Sequence, residues 1–316
     1  MVTEALRNLG VMLCNSLGRG RRASLVALVL AALVMSSGCG LLGGALSVDG
    51  ADVKTVSVDG QNGREALLVA PEGHFADVDL GIGSKLPLVV AMHGLEGNAR
   101  QFAEDTEWPE AARDNGFVVA FAQGVEDSWN AGGCCGPAQQ GGVNDVAYID
   151  ALINQMVAEE GADPQRVYLH GYSNGGMFTF LYACLAPDDL AGAASYAGTN
   201  FSDCRPDGSV DFMQVSGSED PVVPVLGGKS EVPDVPEVPS VEQSLLDMAE
   251  AAGCQNFDGL ELNGILSFQE VDCDGGTSVR YDVIQGFGHE YPTAEVSPNY
   301  VAVEKILEFW GLLGAG

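Results

Sequence analysis

Basic residues are scarce in this chain: 14 lysines and arginines stand against 44 aspartates and glutamates, with four histidines, over 316 residues. Arg7, Arg19, Arg21, Arg22 and Glu4 precede Gly40, so the remainder carries ten basic against 43 acidic residues, a net charge near −33. Such a surface repels phosphate backbones and anionic polymers, which argues against nucleic-acid partners and suits neutral ones. It also matches adaptation to salty surroundings. Nucleotide and metal signatures are missing too. Gly227-Gly228-Lys229-Ser230 looks like the end of a phosphate-binding loop, but Val223 stands where its first glycine must be. His289-Glu290 lacks the second histidine of a zinc-binding H-E-x-x-H, and no G-x-G-x-x-G opens a helix. Neither cofactor nor metal is expected. No internal repeat is visible.

The apolar run Leu25–Met35 falls short of the roughly 20 residues a bilayer-spanning helix requires. Behind Arg19, Arg21 and Arg22, and ahead of Ser36-Ser37-Gly38-Cys39, it reads instead as the core of an export leader. Small residues leading into a cysteine resemble a bacterial lipobox, in which Cys39 is acylated and becomes the mature N-terminus, although Ser36 replaces the usual leucine. The expected organisation is a leader over 1–39, a short linker over 40–44 and a single domain over 45–316. The product is then extracellular or held at the cell envelope, touching a membrane only through the lipid on Cys39.

Beyond Cys39 the cysteines are Cys134, Cys135, Cys184, Cys204, Cys254 and Cys273. An even set on an exported chain reads as disulfides, and Cys254 with Cys273, closing a local loop, is the expected pair. Adjacent Cys134 and Cys135 lack the gap of a zinc knuckle.

Val53–Val58 and Glu65–Ala70 read as strands joined by the turn-rich Asp59-Gly60-Gln61-Asn62-Gly63. Leu86–Met92 and Phe117–Ala122 are apolar throughout, as buried parallel strands are. Ala99–Asn115 is helical with an interruption at Pro109. Asn144–Glu160 places Val146, Ile149, Ile153, Met156 and Val157 at helical spacing behind Asn144 as cap. Further strands are expected near Ala191–Tyr196, Asp211–Val215 and Ser278–Ile284, and helices over Val241–Ala252 and Asn299–Leu312. Strands alternating with helices specify an α/β fold, a mainly parallel sheet with helices on both faces and an antiparallel hairpin at its start. The proline-spaced stretch Glu231–Pro239 is expected to be an extended, exposed surface loop rather than a lid.

One stretch carries chemistry. Val167–Leu169 leads into Gly171-Tyr172-Ser173-Asn174-Gly175, and a helix-compatible run follows to Leu185. This is a G-x-S-x-G elbow in strand–turn–helix context, with Gly171 and Gly175 clearing space around a serine on a tight turn. A hydroxyl is a poor nucleophile until a base takes its proton. His289, in the loop Gly286–Pro292 between the last strand and the last helix, is the best-placed base. Asp220 leaves the strand ending at Val215 and precedes Pro221, so it is favoured over Glu219 as the acid that orients the imidazole. The backbone N–H groups of Asn174 and Leu95 are candidate oxyanion donors. His93 is expected as a wall of that site. Trp129 either lines a substrate pocket or packs its loop.

Six ordered blocks then resemble one family: His93–Asn98, Trp129–Gly136, Val143–Val146, Gly171–Gly176, Ser218–Pro224 and Gly288–Pro292. Together they are similar to the polyhydroxybutyrate depolymerase-like esterases, a group that includes feruloyl and acetylxylan esterases. The resemblance implies an α/β-hydrolase fold, ester hydrolysis through an acyl-enzyme, no cofactor, and Ser173, Asp220 and His289 as the triad. Asn144 stands where the family usually has aspartate, and Glu290-Tyr291 where Thr-Trp is frequent; the second change bears on substrate preference. The expected activity is hydrolysis of neutral esters, either hydroxyalkanoate oligomers or feruloyl and acetyl groups on polysaccharide. Acyl transfer or peptide hydrolysis on the same triad, and a surface-anchored binding protein that kept the fold, are the competing readings.

Overall fold

Leu86–Met92 has no side chain suited to water, so the strand it forms must be covered on both faces. In the computed structural model, which describes residues 46–314 except 206–207, 234, 255–258, 263–264, 270–272 and 274–275, this segment is strand β3, fully buried from Leu88 onward. The expected leader over 1–39 with Cys39, and the expected linker over 40–44, lie outside the described residues.

Around β3 the other strands are β1 (Ala51–Ser57), β2 (Glu65–Pro71), β4 (Val118–Ala122), β5 (Ala162–Tyr172), β6 (Gly192–Tyr196), β7 (Phe212–Gly217), β8 (Gly259–Leu262), β9 (Ile265–Gln269) and β10 (Val279–Ile284). They form one sheet in the order β1-β2-β4-β3-β5-β6-β7-β10-β9-β8. The run from β4 to β10 is parallel, and β1 and β2 pair antiparallel with Ala51 opposite Pro71. That hairpin start is as expected. A second antiparallel pair, β9 and β8, extends the far edge and was not anticipated. Its strands fall inside the loop closed by the Cys254–Cys273 disulfide, the expected pair. The remaining cysteines pair as Cys184–Cys204 and Cys134–Cys135.

Side chains alternate across the sheet with the strand period of two. Leu88, Val90 and Met92 face one core, and Val89 and Ala91 the other. The first core is covered by the helices Asp145–Glu159, Asn174–Leu185 and Val241–Ala251, the second by Ala99–Glu104, Trp108–Asn115 and Ala302–Phe309. The helical stretch broken at Pro109 is thus two helices. Pro109 sits in the first turn of the second, where its missing N–H would have had no partner anyway. Asn144 caps Asp145–Glu159, its side chain accepting from the Ala147 N–H at 3.2 Å. The parallel strands all end at one edge of the sheet, where the loops carrying Gly94, Ser173, Asp220 and His289 emerge.

Candidate active site

The turn after β5 brings backbone against backbone. A Cβ on Gly171 would collide with the Gly175 carbonyl, and one on Gly175 would lie 2.6 Å from the carbonyl oxygens of Met92 and His93. Ser173 itself takes φ 54° and ψ −116°, a left-handed conformation that L side chains avoid, held by its N–H donating to Tyr196 O at 2.8 Å. This strained serine starts the helix Asn174–Leu185.

Two loops from neighbouring strands deliver the other groups. After β7, Ser218 N donates to Ile284 O and Glu219 N to Phe287 O, both at 2.9 Å, which presses the loop against the one after β10. Glu219 is left exposed while Asp220 turns inward, 5% exposed. Asp220 Oδ1 accepts from the N–H groups of Val222 and Val223, both at 2.8 Å, and Oδ2 meets His289 Nδ1 at 2.7 Å. The carboxylate can only accept, so the imidazole carries its proton on Nδ1 and offers a free lone pair at Nε2. That nitrogen lies 2.9 Å from Ser173 Oγ. Three residues spread over more than a hundred positions therefore form one continuous hydrogen-bonded relay.

The His289 loop is rooted in the core by tyrosines whose role the sequence did not reveal. Tyr172 Oη donates to His289 O at 2.9 Å, and Tyr196 Oη donates to Glu290 O. Tyr291, at the position noted as a departure from the family pattern, points into the second core. Trp108 Nε1 donates to Tyr291 Oη at 3.1 Å, Tyr291 Oη donates to His170 Nε2 at 2.9 Å, and His170 Nδ1 donates to Ala194 O at 3.0 Å. Every polar atom in that chain has a partner. Burial in apolar surroundings pushes the His170 imidazole down to about 3, so it stays neutral.

Opposite the serine runs the segment after β3. A Cβ on Gly94 would sit 3.2 Å from Ser173 Cβ, so the glycine lets this backbone approach. His93 Nδ1 donates to Gly94 O at 2.8 Å while Gly124 N–H donates to His93 Nε2 at 3.0 Å. Desolvation lowers the pKa of His93, consistent with this neutral form. Because a peptide unit is planar, holding the Gly94 carbonyl also sets the direction of the Leu95 N–H on its far side. Asn174 is likewise braced: its Oδ1 accepts from Trp129 N at 2.7 Å and its Nδ2 donates to Trp129 O at 3.0 Å. Trp129 Nε1 donates to His93 O at 2.9 Å.

These bonds set His93 beneath the oxyanion backbone rather than along a wall open to substrate, and give Trp129 the packing role, one of its two expected ones. They are 1% and 0% exposed and do not line the cavity beside Ser173; they pack beneath it and hold its backbone in place. The cavity, about 200 Å³, is bordered by Ser173, His289 and Asn174 and walled by Leu95, Met177, Val222, Val232 and Val235. Val232 and Val235 belong to the proline-spaced stretch, so that segment is a wall of the cavity as well as a surface loop.

The sequence profile of a family described as "Esterase PHB depolymerase" matches residues 79–276. Feruloyl esterase B of Piromyces equi is 27% identical over 250 residues, 75% of this chain and 45% of that protein. Poly(3-hydroxyalkanoate) depolymerase C of Paucimonas lemoignei is 32% identical over 128 residues, 39% of this chain and 30% of its own length. The chain thus spans less than half the length of these relatives. An acetyl xylan esterase from Aspergillus awamori superposes with a TM-score of 0.57 at 16% identity, covering 83% of this chain and 99% of its own, a likeness of α/β-hydrolase fold. With the profile covering well over half of its residues, the chain belongs to the esterase PHB depolymerase family.

Proposed function

We propose that the chain is an exported serine esterase acting on neutral carboxylic esters. Ser173 is the nucleophile, His289 the general base and then acid, and Asp220 the group that holds the imidazole tautomer. As Ser173 Oγ attacks the ester carbonyl, His289 Nε2 takes its proton. The developing oxyanion accepts from the N–H groups of Leu95 and Asn174, each such donor contributing about 3–4 kcal/mol of transition-state stabilisation. The intermediate collapses, His289 returns the proton to the departing alcohol, and water then releases the acid from Ser173 by the same steps in reverse. The observation that carries this reading is the 2.9 Å and 2.7 Å relay at the mouth of a largely apolar cavity.

The names of the relatives point to feruloyl and hydroxyalkanoate esters as the substrates to try first, with acetyl esters of polysaccharide beside them. The disulfides support an oxidising compartment. Acylation of Cys39 would hold the enzyme at the envelope, which mass spectrometry of the N-terminal peptide from the membrane fraction tests. A serine-directed phosphonate tests the whole assignment. Labelling of the wild type that vanishes in Ser173→Ala is expected, whereas an unlabelled wild type would favour a binding protein on the same fold. Product analysis with added alcohols or amines separates hydrolysis from acyl transfer.

A further inference from the structure

The segment Glu231–Pro239 reads Val232-Pro233, Val235-Pro236, Val238-Pro239, with a valine before each proline. Each proline has its φ locked, and the residue ahead of it is pushed to an extended conformation. An extended polyproline-type chain repeats every three residues, so the three valines fall on one edge. The burial follows that spacing, although the chain bends at Glu231 and Val232 and turns at Pro233. Val238 is buried and Val232 and Val235 are half-buried, while Pro233, Pro236 and Glu237 are exposed. The inward edge meets the cavity beside Ser173, where Val232 and Val235 complete a wall begun by Val222.

This strap is pinned where it leaves and rejoins the fold. Gly228 N donates to Val238 O at 2.8 Å and Val238 N returns the bond to Gly228 O at 2.7 Å. Glu231 N donates to the carbonyl of Pro221, next to Asp220, at 2.9 Å, and buried Ser230 accepts from Val232 N at 3.1 Å through its hydroxyl. Branched valine side chains have few rotamers with which to yield to an oversized group.

We propose that Val232 and Val235 are specificity-determining residues: the strap is a fixed steric roof that limits the size of the substrate's apolar group. The proposal rests on the esterase reading. In a pocket of this kind one methylene more or less is worth about tenfold or more in kcat/KM. Two series of esters test it, one lengthening the acyl chain from acetyl to octanoyl on a constant alcohol, the other lengthening the alcohol on a constant acetyl group. In Val232→Ala/Val235→Ala, kcat/KM for the longest member relative to the shortest should rise about tenfold or more in one series and stay level in the other. Val235→Ile, which adds a single methylene, should move the same ratio the opposite way with its melting temperature unchanged. Variants that leave both ratios at the wild-type value, or scale every ester equally, overturn the roof. A wild type inactive on acetyl esters overturns the esterase reading instead.

Discussion

Replacing Asp220 by asparagine should abolish turnover while leaving the fold intact, because the hydrogen bonds around the carboxylate allow the amide only one orientation. Oδ1 receives two backbone N–H groups at 2.8 Å, from Val222 and Val223. Turning the amide NH2 toward them would set donor against donor and leave buried N–H groups unpaired, at about 1–3 kcal/mol each. The amide oxygen must therefore stay there, and the NH2 must take the place of Oδ2, 2.7 Å from His289 Nδ1. An imidazole facing that donor has to accept at Nδ1, which moves its own proton to Nε2. That nitrogen then presents an N–H to Ser173 Oγ across the 2.9 Å contact and cannot take the serine's proton. Loss of the correct tautomer in a relay of this type lowers kcat by about 10⁴, equivalent to about 5.5 kcal/mol of barrier. Release of nitrophenol from a short-chain nitrophenyl ester measures the rate, and thermal melting of the same sample reports the fold. An Asp220→Asn enzyme that melts like the wild type and keeps more than about a tenth of its kcat would refute the tautomer argument and the role given to this carboxylate.

Further predictions concern the support of the site. Tyr196→Phe removes the donor to Glu290 O and should destabilise the protein by about 1 kcal/mol in urea unfolding, with a lower kcat and little change in KM. His170 is buried neutral with its folded pKa near 3, below its unfolded value, so its contribution is present above about pH 6.5 and fades as pH falls toward 3. The stability gap between wild type and His170→Gln should accordingly shrink through that window at about 1.4 kcal/mol per pH unit, read from urea midpoints at several pH values. A net charge near −33 beyond Cys39 implies self-repulsion that salt screens, so the melting temperature should rise between low and molar sodium chloride. A flat salt response would remove the argument for adaptation to salty surroundings.

Much of this architecture could be read from the chain because its causes are local. Leu86–Met92 is apolar at every position and can only be a strand covered on both faces. The glycines flanking Ser173 have one steric reason to stand where they do. Pro109 marked a boundary, and the structure shows that it opens a second helix rather than breaking a single one. The strands β8 and β9 went unseen. The segment between Cys254 and Cys273 has no long apolar run, and its strands are short: β9 pairs with β10, and β8 with β9. Its signal in the sequence is Asn263-Gly264, a two-residue hairpin pair between Leu260-Glu261-Leu262 and Ile265-Leu266. The proline-spaced stretch showed its valine spacing openly, but neither the turn at Pro233 nor what its valine edge would face.

The sequence by itself determined the fold class, the elbow and the order in which serine, acid and histidine arrive, since turn sterics, side-chain period and strand polarity act over a few residues at a time. Only the tertiary structure decided that Asp220 turns inward while Glu219 stays in water, that His93 and Trp129 brace the backbone beneath the cavity, and that three tyrosines root the His289 loop. Each of those outcomes depends on which atoms are desolvated and which hydrogen-bond partners lie within reach. Both are set by segments far apart in the chain, and no local pattern records them.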